Sequence, residues 1–224
     1  MGIEGNFKQI PAPLLEIAKQ DLYVLDLYLH AKEALETGAV QHLPAYSKKL
    51  LKKKGINHNQ DALIAEEQWR IGRLEIDSYW HAIHYLLTED ISSWEECQIP
   101  FIVARKKENN RLLINAVMGT TSIEGTKDSF KDFGPVKYLV PSETQQISEA
   151  LLQISEKEFT KRYEEACVLN PDVYRTLWDE EVDDYWHIFQ CISEYYRIAA
   201  EETRGMLLYL GCFYGVDFMW EMPE

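Results

Sequence analysis

Two histidines three positions apart, His81 and His84, stand beside Trp80 and Tyr85 in the run LEIDSYWHAIHYLLT, residues 74–88. On a helix this spacing puts both imidazoles on neighbouring ridges of one face, where they could share a metal ion or a polar ligand. An imidazole titrating near neutral pH can also move a proton. Two ligands do not make a metal centre, however. Glu75 and Glu124 are the candidate further carboxylates and no HExxH pattern supplies a base, so no metal and no cofactor is expected.

A ligand cleft is the chemical alternative. Trp80, His81, His84 and Tyr85 would line it from the helix, the loop bearing Gly119, Thr120, Thr121, Ser122 and Glu124 would close it, and Tyr138 would follow on the next strand. The plainer expectation makes Trp80, Ile83, Leu86 and Leu87 core and has the histidines anchor that loop by hydrogen bonds. A second pairing, Cys191 with His187 four residues before it, lacks an orienting third group. Its thiol sits among apolar helix positions that raise its pKa. No P-loop, dinucleotide-binding glycine pattern or GxSxG elbow occurs.

The elements that must position these residues follow from periodicity and breakers. A short strand is expected over residues 5–10, broken by Pro11 and Pro13, and then apolar residues at helical spacing through Leu14, Leu15, Ile17 and Ala18. One helix broken near Gln20 or two consecutive helices fit residues 14–35. Residues 39–59 carry Lys48, Lys49, Lys52, Lys53 and Lys54, the one basic cluster, read as a solvated amphipathic turn or insertion; a helix follows over 61–73.

Asp77 stands where an N-cap belongs, ahead of the unbroken run 78–87. Residues 101–104 read as a strand, 112–118 as interior strand or helix, 119–134 as a surface loop and 136–140 as a strand. Ser142 with Gln145 and Ser155 with Glu158 mark two helix starts. A long helix is expected over 181–203, with Tyr185, Ile188, Phe189, Ile192, Tyr195, Tyr196 and Ala199 along one face and Gly205 as its stop. The strand 206–210 and an aromatic tail close the chain. Helices alternating with few strands argue α+β, a mainly helical single domain over residues 1–224 with a small sheet, a helical insertion around 39–73 and a C-terminal extension around 211–224.

The chain has 224 residues, of which 46% are hydrophobic and 27% charged, in keeping with one large domain. Its 37 acidic and 23 basic side chains give a net charge of −14. That balance excludes a general nucleic-acid binder, which needs a cationic footprint. The acidity is concentrated beyond residue 141, where 18 acidic face 6 basic residues and peak at Asp179, Glu180, Glu181, Asp183 and Asp184. No secretory signal is recognised at the start, no window reaches the length of a membrane helix, and Cys97, Cys167, Cys191 and Cys212 form no CxxC pair. A cytoplasmic chain with reduced thiols is the expectation.

Five stretches in order, MGIEGNF, IDSYWHAIHYLLT, NAVMGTTSIEG, FGPVKYLVPSE and AAEETRGMLLYL, resemble the YfbM-like bacterial family. The resemblance implies a small cytoplasmic protein of unknown function with an α+β fold. It aligns the family's tryptophan and histidines with Trp80, His81 and His84, its loop glycine and acid with Gly119 and Glu124, and its Gly-Pro and aromatic with Gly134, Pro135 and Tyr138. Gly119-Thr120 departs from the paired glycines expected there. The charge balance suggests a non-enzymatic binding or interaction protein whose acidic C-terminal half faces a basic protein partner, immunity-like in that balance. The alternative is a small-ligand binder or enzyme using the His/Glu cleft between the Trp80–His84 helix and the 119–125 loop.

Overall fold

A computed structural model describes residues 3–31, 66–91, 111–119, 121–126, 134–174, 181–211 and 220–223. The expected lysine-rich segment 39–59 and strand 101–104 lie outside them. The architecture is α+β and mainly helical, as the sequence implies, around a five-stranded antiparallel sheet in the order β2-β1-β5-β4-β3. The strands are β1 (Glu4–Pro11), β2 (Arg73–Glu75), β3 (Thr121–Ser122), β4 (Lys137–Leu139) and β5 (Arg204–Gly211).

The two long strands come from opposite ends of the described chain. β1 pairs with β5 over eight residues, from Glu4 with Gly211 to Pro11 with Arg204. Because side chains alternate across a strand, each strand feeds both faces. Phe7, Leu74, Leu139, Met206 and Leu208 join the core on one face, and Ile10, Leu207 and Tyr209 join the core on the other.

The second face is covered by α1 (Ala12–Ala18), α2 (Leu22–Leu29) and Trp69 at the end of α3 (Glu66–Trp69). Pro13 falls in the first turn of α1, where a missing N–H costs nothing, and Asp21 caps α2 by accepting from the Tyr23 amide. Two helices, not one bent helix, therefore follow β1.

The first face carries α4 (Trp80–Thr88), α5 (Arg111–Met118), α6 (Pro141–Leu151) and α8 (Val182–Glu201), with α7 (Glu156–Leu169) outside them. The expected stripe of α8 is buried through Tyr185, Phe189, Ile192, Tyr195, Tyr196 and Ala199. Ser155 caps α7 as expected. Trp220 returns to the domain, donating its backbone N–H to the Arg73 carbonyl at 2.9 Å and meeting the Tyr195 ring edge-on at 5.3 Å.

Four local expectations are corrected. Leu74 and Glu75 belong to β2, paired with Phe7 and Asn6, so the opening run is strand, 3-10 turn and helix instead of one helix. Asp77 lies in the left-handed region at φ 47° and its carboxylate accepts from the Ser78 amide, which starts the 3-10 turn Asp77–Tyr79 without capping α4. Val140, not Ser142, precedes α6, with Pro141 in its first turn and the Glu143 carboxylate accepting from the Val140 amide. Gly205 lies inside β5 because Thr203, at φ 53°, makes the turn out of α8.

Candidate functional site

Position on the sheet decides where α4 can sit. A Cβ on Gly5 would come within 2.6 Å of the Trp80 Cβ, so the bare backbone of β1 lets the helix start press directly on the strand. The Ile76 amide donates to the Gly5 carbonyl at 2.9 Å and fixes the approach. From this contact α4 runs into the core, burying residues 80–87 on all sides, both histidines included.

The chain after α4 folds back along it. Glu89 takes a left-handed C-cap conformation and donates to the Tyr85 carbonyl. The Thr88 hydroxyl donates to the His84 carbonyl and accepts from the Asp90 amide. This turn sets the Asp90 carboxylate 3.3 Å from Nε2 of His84 and the Ile91 carbonyl 3.3 Å from Nε2 of His81. Arg162 of α7 donates to the Leu86 and Leu87 carbonyls and satisfies the helix end.

His81 has a second fixed neighbour. The Tyr174 amide donates to its Nδ1 at 3.0 Å. An amide only donates and a carbonyl only accepts, so His81 is the neutral tautomer with its proton on Nε2. Its ring stacks on Trp80 at 4.9 Å and 9°, and Tyr174 stacks on Trp80 at 5.8 Å. Burial, then the charge of His84, pushes the His81 pKa below its ordinary value. Burial dominates at His84 too, outweighing Asp90, with Lys137 adding to the depression.

The partners of the histidine rings are thus Asp90, Ile91 and Tyr174, and among the described residues none of them belongs to the 119–126 loop. Of the expected cleft, Trp80, His81, His84 and Tyr85 are brought together on α4. Gly119, at φ 66°, lies against the Lys137 Cβ, and Lys137 in turn bears on His84. Glu124 is exposed, Thr121 and Ser122 form the short edge strand β3, and Thr120 lies outside the described residues. Tyr138 faces the opposite side of the sheet, where its ring lies under Lys19. The distribution follows from the two-residue period of β4, which sends Lys137 and Leu139 toward α4 and Tyr138 away.

Sequence reasoning passed over Asn115. It is fully buried on α5, the helix packed on α4, and among the described residues neither its amide nitrogen nor its oxygen has a hydrogen-bond partner; the same is true of His84 Nδ1. A polar residue inside the apolar run LLINAVM was the available signal. Cys191 lies 3.7 Å from His187, and burial raises its thiol pKa. Among the described residues no group of three His, Cys, Asp or Glu is placed to hold a metal ion, and no helix is long and apolar enough to cross a membrane.

A solved structure with which this chain shares 16% identity is YfbM from Escherichia coli, a protein of unknown function; the match covers 93% of this chain and 99% of that chain at a TM-score of 0.46. No curated protein matches. The family model described as "Domain of unknown function (DUF1877)" matches residues 1–209, nearly the whole chain, and the protein belongs to that family.

Proposed function

We propose that this is a cytoplasmic, bacterial, non-enzymatic interaction protein that binds a basic partner through an outward acidic face formed by α7 and the first turn of α8. One observation carries the reading. α7 has 14 residues but fully buries only Phe159 and Ala166, so most of its surface is offered to solvent. Glu156, Glu158, Glu164 and Glu165 are exposed along it, beside exposed Glu181, Asp183 and Asp184 at the start of α8. The two helices meet at Tyr163, whose ring lies 5.4 Å from Tyr185 and whose hydroxyl pKa is pushed up to about 12 by burial, then by Cys167, Asp184 and Glu181.

Lys157, Lys161 and Arg162 lie on the same helix but leave the face negative, and the last two are engaged by Glu165 and Glu158. Val168 and Leu169, 86% and 69% exposed, add an apolar edge at the end of α7. Opposed charge speeds encounter and an apolar edge slows release, which is how such faces bind. The unpaired thiols of Cys167 and Cys191 support a reducing compartment.

Affinity capture from the native host, at roughly 50 mM and 300 mM salt, tests the reading, because exposed charge pairs are screened within about 10 Å at 0.1 M salt. A basic protein retained at low salt, and lost when Asp183→Asn and Asp184→Asn are combined, is the expected result. Capture unchanged by the double substitution overturns it.

A further inference from the structure

The tie between His81 and Tyr174 can exist in only one protonation state. Nδ1 of His81 accepts the Tyr174 amide proton at 3.0 Å, so its lone pair is occupied. A proton added at Nδ1 would set two N–H groups against each other, and the bond must break. The other ring nitrogen offers no escape, since Nε2 already faces the Ile91 carbonyl.

Tyr174 is joined to two further parts of the molecule. Its hydroxyl accepts from the Ile3 amide at 2.9 Å, just ahead of β1, and its ring covers Trp80. It lies on the segment after α7, where Asn170 is left-handed and the Val173 amide turns back onto the Pro171 carbonyl. Tyr174 is itself 45% exposed, so its side chain already reaches solvent.

We propose that His81 is an acid-operated latch: neutral, it holds Tyr174 against α4; protonated at Nδ1, it releases Tyr174 and uncovers the Trp80 ring. The latch stands whether or not the acidic face binds a partner. The groups that act on His81 are His84 on its own helix, Asp90 from the turn that follows and Asp172 from the latched segment. Arg162 of α7 is held at the far end of α4, and Lys137 of β4 faces His84. In the latched form burial and His84 oppose protonation more than the two aspartates favour it. Once Tyr174 leaves, the ring gains water, while Asp90, on the turn that follows α4, remains to welcome its charge. The open form therefore takes the proton first, and lowering the pH opens the latch.

Residue-resolved amide exchange on the whole chain tests this. The protection of the Tyr174 amide, corrected for the intrinsic rate at each pH, falls below about pH 6.5 by up to about tenfold per pH unit. In His81→Asn, whose side-chain oxygen can accept the same amide without titrating, the fall disappears. Protection that does not change with pH in the wild type, or that falls equally in His81→Asn, overturns the proposal. Should that variant fail to fold, the wild-type imidazole nitrogen spectrum decides: a neutral Nε2–H tautomer at pH 7.5 supports the latch, and an Nδ1–H tautomer overturns it.

Discussion

The backbone N–H of Tyr174 donates to Nδ1 of His81 across 93 positions of sequence, at 3.0 Å. With Asp90 on His84, it makes the two histidines internal fasteners that join α4 to the turn after it and to the segment after α7. Both imidazoles thus bridge α4 to other parts of the chain.

Acid sensitivity follows. Both histidines titrate below their ordinary value in the fold, while in the unfolded chain they titrate near ~6.5. As pH falls, the unfolded state binds protons first. The stabilisation is fully present above about pH 6.5 and is lost toward the folded values, by at most about 1.4 kcal/mol per pH unit for each histidine. Urea midpoints at pH 7.5 and 5.5 should show a larger acid loss in the wild type than in His84→Gln; equal losses would contradict this.

Tyr195 is a three-way joint. Its hydroxyl donates to the Gly72 carbonyl at 2.6 Å and accepts from the Gln9 amide at 3.0 Å, tying α8 to β1 and to the approach to β2. Tyr195→Phe orphans both groups, and each costs about 1–3 kcal/mol when buried. Denaturant unfolding measures the loss; a change below about 0.5 kcal/mol, the usual size at an uninvolved surface site, would show that the joint carries no weight.

Asn115 predicts the opposite sign. Its amide is buried without partners, a cost of about 1–3 kcal/mol that an apolar side chain of similar volume avoids. Asn115→Leu is expected to raise the thermal midpoint. A fall of several degrees would mean that the amide is satisfied in solution.

Gly205 is required by contact. An added Cβ would meet the Leu139 carbonyl oxygen at 2.6 Å and Leu15 at 2.9 Å, on a strand clamped between β1 and β4. Gly205→Ala should cost about 1–3 kcal/mol, the usual range for overpacking. An unchanged midpoint in thermal unfolding would contradict the packing described for this strand.

How much of this was legible in the sequence depended on how local the physics is. The stripe of α8, the cap at Ser155 and the breakers at Pro11 and Pro13 act within one or two turns, and they could be read directly. β2 could not: its three residues become strand only by pairing with β1, as Leu74 does with Phe7, 67 positions earlier. The aromatic-histidine character of α4 was evident, but its partners were not. Asp90 and Ile91 reach it through a turn set by left-handed Glu89, and Tyr174 through the fold of α7 on α4. Tyr138 shows the same limit, since its neighbour Lys137 points toward α4 and the pleat sends it to the other face.

The central proposal is that the molecule binds a basic partner through the outward carboxylates of α7 and the first turn of α8, without needing His84. The most direct measurement compares partner retention on immobilised wild type, His84→Gln and combined Asp183→Asn, Asp184→Asn proteins, loaded in equal folded amounts. The account predicts retention by the first two and loss by the third. Retention by the carboxylate variant with loss in His84→Gln would contradict it.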